Sequence, residues 1–105
     1  MDENNALDLV SMTIIANSGD ARSFAFQALE EAKDGKQEEA EQLLKKAEES
    51  AHLAHKAQTE LLFAEANGEK NEINVLLVHS QDHLMTSMLA IELIREIVLL
   101  HKKIA

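Results

Sequence analysis

Apolar residues recur along this chain at the intervals expected of helices. Between residues 40 and 62 they follow one another every three or four positions, as one buried face of an α-helix requires. That face consists of Ala40, Leu43, Leu44, Ala47, Ala51, Ala54, Leu61 and Leu62, with Gln58 as a polar member. Signals for β-strands are missing. The pattern therefore predicts an all-α protein.

Glycine marks the predicted ends of the helices. The chain contains three glycines and no proline, so few positions can interrupt a helix. Gly35 and Gly68 each follow a polar residue, where a helix C-terminus with left-handed backbone is expected. We therefore predict three helices at about residues 4–33, 37–66 and 70–103. Because the connections are short, neighbouring helices should run antiparallel.

Gly19 does not fit this use of glycine as a terminator. It lies inside the first predicted helix, where a glycine costs about 1 kcal/mol relative to alanine. A residue with that cost marks either a kink or a close contact between helices.

The first and third predicted helices are apolar on more than one side. In the third, the apolar residues are Leu84, Met85, Met88, Leu89, Ile91, Leu93, Ile94, Ile97 and Val98. This arc is wider than a three-helix monomer can bury, which favours a homo-oligomer with helices at its centre. The alternative is a monomer that exposes scattered leucine and isoleucine side chains.

Length and composition narrow the possible functions. A chain of 105 residues forms a single domain, residues 1–105, with a small core. The net charge of −9 and the scattered basic residues argue against nucleic-acid binding.

We expect no export signal and no membrane span, because the N-terminus is acidic and the apolar stretches are short. The absence of cysteine fits the cytoplasm and excludes a thiolate nucleophile or a disulfide framework.

The least ordinary segment is the run His79-Ser80-Gln81-Asp82-His83. On a helix, offsets of three and four place His79, Asp82 and His83 on one side, with Thr86 one turn further along. Apolar residues flank the run on both sides. Two imidazoles and a carboxylate are costly to bury without partners, so this segment is the candidate functional site.

Three interpretations of this segment are compatible with its residues. The histidines could complete a polar seam, or they could bind a transition metal together with Asp82. A metal hydrolase is disfavoured because the glutamate base of the His-Glu-x-x-His motif is missing, and the other pair, His52 and His55, has a different spacing. In the third interpretation a neutral imidazole is a nucleophile that carries a phosphoryl group. The residues alone do not choose between the seam and the phosphoryl carrier.

Four segments of the chain resemble segments of one known family. They occur in the same order as in the family, and the resemblance covers nearly the whole chain. They are LVHSQDHLMT at residues 77–86, NSGDARS at residues 17–23, Ala54-His55 with Gln58-Thr59, and EANG at residues 65–68. The family is the lactose/cellobiose (chitobiose) family of enzyme IIA proteins of the bacterial sugar phosphotransferase system. One departure is Ser80, where members commonly carry alanine.

The resemblance implies an antiparallel three-helix bundle that assembles into a homotrimer and carries a phosphoryl group. His79 would accept the group on Nε2 from the general histidine phosphocarrier protein and pass it to a cysteine of enzyme IIB. The sugar would enter through the membrane permease, enzyme IIC, so this chain meets the membrane only indirectly.

The same resemblance assigns roles to the neighbours of His79. His83 and the Gln81 amide would donate hydrogen bonds to the phosphoryl oxygens. Asp82 would meet its copies at the three-fold axis and bind one divalent cation there, usually Mg²⁺.

The competing function is a non-catalytic helical oligomerisation or adaptor module with a structural metal site. His52, His55 and His101 receive no role.

Overall fold

Three long helices make up the protein. The structure is a computed structural model that describes residues 3–70 and 72–104. Its helices are α1 (Glu3–Lys33), α2 (Gln37–Ala66) and α3 (Val75–Ile104), and the described residues contain no strand. The predicted all-α, three-helix fold is confirmed, and the bounds of the first two helices agree with the prediction to within one residue.

The predicted glycine terminators are confirmed at both connections. Gly35 and Gly68 have positive φ angles of 80° and 95°. Residues that carry a Cβ rarely adopt such angles. The amide after Gly35 donates to the carbonyl of Glu31 at 2.9 Å, and the amide after Gly68 donates to that of Ala64 at 3.0 Å. Each bond satisfies a carbonyl that the helix end would otherwise leave free, so both helices stop at a defined residue.

The predicted start of the third helix is wrong. α3 begins at Val75 and not at residue 70, and Glu72 therefore precedes the helix instead of lying in its first turn. The side chain of Asn74 sets the start, because its Oδ1 accepts a hydrogen bond from the backbone amide of Leu77 at 2.8 Å. An asparagine directly before an apolar run is the sequence signal for this cap. Asn71, within the predicted helix, lies outside the described residues.

α1 and α3 each bury one face at alternating intervals of four and three residues, and the buried residues of α2 fall on the same seven-residue repeat. In α1 the buried residues are Leu7, Ser11, Ile14, Ser18, Ala21, Ala25, Ala28 and Ala32. In α3 they are Ser80, Leu84, Ser87, Ile91, Ile94 and Val98, and α2 contributes Ala40, Leu44, Ala47 and Ala54. A seven-residue repeat of this kind keeps one seam facing its partners when the helices wind around one another with left-handed twist.

The three helices run up, down and up as a rod of 53 × 21 × 19 Å. Ion pairs between α2 and α3 show the antiparallel direction, because Glu48 pairs with Arg95 whereas the earlier Glu41 pairs with the later Lys102. α1 packs along both other helices, but α2 and α3 contact each other much less. Grooves therefore remain between α2 and α3.

A row of apolar side chains on α3 stays outside the core. This outer stripe consists of Val78, Met85, Leu89, Leu93, Leu100 and Ile104, with Asp82 among them, and each of its apolar members is more than half exposed. The prediction that α3 carries more apolar surface than one chain buries is confirmed. None of the three described helices has an apolar stretch long enough to cross a membrane.

Candidate functional site

Two imidazole rings lie side by side on the second and third turns of α3. His79 and His83 are four residues apart on the helix, so their side chains project from neighbouring turns of one face. Their ring centroids are 5.7 Å apart and the ring planes are tilted by 33°. His79 is exposed, whereas His83 is half-buried. The exposed ring is open to a partner protein and the second ring is within reach of any group bound to it.

Asp82 and Thr86 lie next to the imidazole pair, as predicted. Asp82 is exposed and interrupts the outer stripe of α3 between Val78 and Met85. The hydroxyl of Thr86 donates to the backbone carbonyls of Asp82 at 2.9 Å and His83 at 3.3 Å. Thr86 is thus occupied by the helix backbone, and the Asp82 carboxylate faces outward.

Gln81 lies on a different side of the helix from His79, because residues two positions apart do not face each other. Its Oε1 accepts a hydrogen bond from Gln58 of α2 at 2.6 Å, and its amide nitrogen donates to the Ser80 hydroxyl at 3.3 Å. That hydroxyl in turn donates to the carbonyl of Leu77 at 2.6 Å. Within one chain the structure therefore brings His79 and His83 together and holds Gln81 on the flank that faces α2.

Gly19 of α1 lies directly against the second imidazole. A Cβ built on Gly19 would meet Nε2 of His83 at 3.6 Å, and apart from the nearby backbone of α1 no other heavy atom of the described residues would lie within 4 Å. Of the two reasons predicted for this glycine, a kink or a close contact between helices, the structure shows a contact, and the contact is with the candidate site. The sequence showed that Gly19 is unusual, but 64 positions separate the two residues, and only the fold shows that they meet.

Asn74 is a functional neighbour that the sequence analysis missed. Besides capping α3, its side-chain amide nitrogen lies 3.4 Å from the carboxylate oxygen of Asp8 in α1. The cap and this contact together fix the first turn of α3, one turn before His79. The signal for Asn74 was present as a capping residue before an apolar run.

The other histidine pair occupies a separate place. His52 and His55 line a groove of about 270 Å³ between α2 and α3, together with Glu48, Glu92 and Arg95. Neither His79 nor His83 lines this groove. Among the described residues of one chain, no group of three histidine, aspartate or glutamate side chains is placed to hold a metal ion.

Comparison with known proteins shows to which family the chain belongs. Residues 9–102 match the family model described as PTS system, Lactose/Cellobiose specific IIA subunit, where PTS denotes the phosphotransferase system. This chain belongs to that family. All four predicted site residues lie inside the matched region. As a IIA component, the chain is part of the phosphotransferase system and transfers phosphoryl groups.

Individual IIA proteins match over nearly their whole length. The lactose-specific EIIA component of Staphylococcus epidermidis is 44% identical over 97 residues, covering 92% of this chain and 93% of that protein. The crystal structure of the PTS cellobiose-specific enzyme IIA from Bacillus anthracis superposes with a TM-score of 0.92 at 47% identity, covering 99% of this chain and 93% of that one.

A solved complex matches as well. The solution structure of the IIA(Chitobiose)-HPr complex of the N,N'-diacetylchitobiose branch of the Escherichia coli phosphotransferase system has a TM-score of 0.80 at 41% identity. The match covers 99% of this chain and 98% of that IIA chain. In that structure the IIA protein is in complex with HPr.

Proposed function

We propose that His79 is the phosphoryl acceptor of this IIA protein. It takes the group from the general histidine phosphocarrier protein, HPr, and passes it to a cysteine of enzyme IIB for uptake of a lactose-, cellobiose- or chitobiose-type sugar. The observation that carries this proposal is the exposed ring of His79 with the ring of His83 only 5.7 Å away, centroid to centroid.

The transfer is a displacement at phosphorus. The bond from phosphorus to the donor imidazole nitrogen breaks as a bond to Nε2 of neutral His79 forms, and the departing nitrogen keeps the electron pair. Catalysis of such a step depends on positioning and on stabilising the charge of the equatorial oxygens. The chain contains no cysteine, so the thiolate that next receives the phosphoryl group belongs to enzyme IIB.

His83 supports the transfer by donating a hydrogen bond to the phosphoryl oxygens. It is the neighbouring polar group on the same helix face, and its half-buried ring is less free to move than the ring of His79. A donor held in place before the reaction stabilises developing charge without having to reorganise.

Gln81 has the same role, but toward a different copy of the chain. His79 and Gln81 lie on opposite flanks of the outer stripe of α3. In a cyclic trimer one flank of each subunit meets the opposite flank of the next. Gln81 of one subunit would therefore approach His79 of its neighbour, and the bond from Gln58 would orient its amide.

The homotrimer is part of this proposal because the outer stripe of α3 leaves a long row of apolar side chains in water in a single chain. Three copies packed through this stripe would also bring three Asp82 carboxylates together. Like charges brought together at an axis repel, and a divalent cation between them reduces the repulsion. Carboxylate oxygens suit Mg²⁺, so Asp82 fits as its protein ligand, and the cation would offset two of the three negative charges at the axis.

Intact-mass spectrometry tests the acceptor directly. We expect a gain of one phosphoryl group per chain after incubation with phosphoenolpyruvate, enzyme I and HPr, under mildly alkaline conditions that preserve phosphohistidine. His79→Gln should abolish the gain, whereas His52→Gln, which changes an exposed histidine of α2, should leave it intact. An unphosphorylated chain beside fully phosphorylated HPr would contradict the proposal and favour the adaptor alternative.

Two further expectations complete the proposed function. A cytoplasmic location follows from a relay whose only membrane component is enzyme IIC, and it stays a prediction. Organisation of residues 1–105 as a single IIA domain also stays a prediction.

A further inference from the structure

Three explanations for a glycine within α1 can be compared at Gly19. The first is backbone conformation, but only Gly35 and Gly68 have positive φ among the described glycines, so Gly19 is ordinary helix. The second is steric exclusion by a neighbouring helix, but the nearest atom that an added Cβ would meet on the described part of another helix is 3.6 Å away, which is an ordinary contact distance. Alanine would therefore fit, and it would be the better helix former.

The third explanation is the space beside His83. On the described parts of α2 and α3, the atom that the added methyl group would contact is Nε2 of that ring. A hydrogen-bond partner of an imidazole N–H must come to about 2.7–3.2 Å. A methyl group at 3.6 Å would occupy the α1 side of the nitrogen and hinder the approach of an oxygen from that direction.

We infer that Gly19 is a positioning residue for phosphoryl transfer. Its missing side chain keeps Nε2 of His83 open, so that this nitrogen can donate a hydrogen bond to the oxygens of the phosphoryl group on His79. His83 keeps its proton throughout, and the bonds that break and form at phosphorus are those between the donor imidazole and His79. The inference rests on the proposed function and assigns Gly19 a part in the same site.

Gly19→Ala separates this role from a structural one, because the two predict opposite changes. The melting temperature should rise, since alanine favours the helix and fits the space. The rate of phosphoryl transfer from phosphorylated HPr should nevertheless fall, by roughly tenfold, as expected when one stabilising donor is impaired. Gln27→Ala, an exposed substitution two turns further along α1, is the matched control and should leave the rate unchanged.

A double-mutant cycle with His83→Ala shows whether the effect passes through the imidazole. Transfer should be slow in His83→Ala, and adding Gly19→Ala to it should cause no further loss. An equal additional loss in that background would overturn the inference, as would a transfer rate of Gly19→Ala equal to that of the unaltered chain. A lower melting temperature for Gly19→Ala would also overturn it, because packing would then explain the glycine.

The same experiment keeps the inference apart from the proposed function. If the unaltered chain accepts no phosphoryl group, the proposed function fails and the role of Gly19 fails with it. If the unaltered chain is phosphorylated on His79 and Gly19→Ala is phosphorylated at the same rate, only the inference about Gly19 is overturned.

Discussion

The two ends of the bundle are packed on different principles. At the end away from the site, four alanines of α1 face Ala40, Ala47 and the branched side chains of α3, so small and large residues interlock in one continuous core. At the site end the core cluster is short, with Ile14, Ala54 and Leu84 at its centre.

Buried hydroxyls make the contrast sharper. The fully buried polar residues are Ser11, Ser18, Ser80 and Ser87, and they lie on α1 and α3 within about two turns of the imidazole pair. Among the residues that the structure describes, the hydroxyls of Ser11, Ser18 and Ser87 find no hydrogen-bond partner. An unpaired buried hydroxyl lowers stability. The molecule is therefore packed for stability at the far end and gives up part of it close to the site.

The largest expected effect comes from disturbing the interlocked end. Ala28 is completely buried, so Ala28→Leu should overpack the core and lower the free energy of unfolding by about 2 kcal/mol. Gln27→Leu, one residue earlier and exposed, adds the same side chain on the outside as the control. Urea unfolding followed by far-UV circular dichroism at one fixed protein concentration measures both. Equal stabilities of the two variants would show that the far end is not tightly packed.

A loss of stability of intermediate size is expected when the cap at the start of α3 is removed. This cap distinguishes the connection before α3 from the connection before α2. α2 begins without any side-chain cap, whereas α3 begins with the cap of Asn74 on Leu77. Asn74→Ala should cost about 1 kcal/mol and speed hydrogen exchange of the Leu77 amide. Asn74→Ser, which keeps a capping oxygen without placing a second carboxylate beside Asp8, should restore the protection. Unchanged exchange at Leu77 in Asn74→Ala would mean that the cap contributes nothing to the helix start.

The smallest expected effect is a gain in stability instead of a loss. Ser18→Ala removes an unpaired buried hydroxyl and should raise the free energy of unfolding by about 0.5–1 kcal/mol. Ser23→Ala makes the same exchange at an exposed position of α1, so it reports the gain in helix propensity alone. The difference between the two variants measures the cost of burying the hydroxyl. A Ser18→Ala variant that is less stable than the unaltered chain would show that the hydroxyl has a partner.

Local signals in the sequence were sufficient to predict three helices and the ends of the first two, but not the start of α3 or the contacts between the helices. Gly35 and Gly68 predicted two helix ends because a positive φ is a property of the residue itself. The start of α3 was misplaced because the polar residues before Asn74 are compatible with a helix, and only the hydrogen bond to Leu77 shows where the cap acts.

The candidate site was predictable where it lies on one helix. The spacing of His79, Asp82 and His83 gave their common side directly. The bond between Gln58 and Gln81 and the approach of Gly19 to His83 depend on how the helices are rotated against one another. The packing of all three helices decides that rotation, and no short segment of the chain contains it.

The outer stripe of α3 has a consequence for the shape of any assembly. Its members recur every eleven residues, from Val78 to Leu89 to Leu100 and from Asp82 to Leu93 to Ile104. An eleven-residue repeat favours a right-handed supercoil, whereas the buried seam of the same helix repeats every seven residues and favours a left-handed one. α3 cannot satisfy both windings, so copies that pack through this stripe should lie nearly parallel with little supercoiling. In a cyclic assembly, symmetry would then place Asp82 of every copy at the same height along the axis.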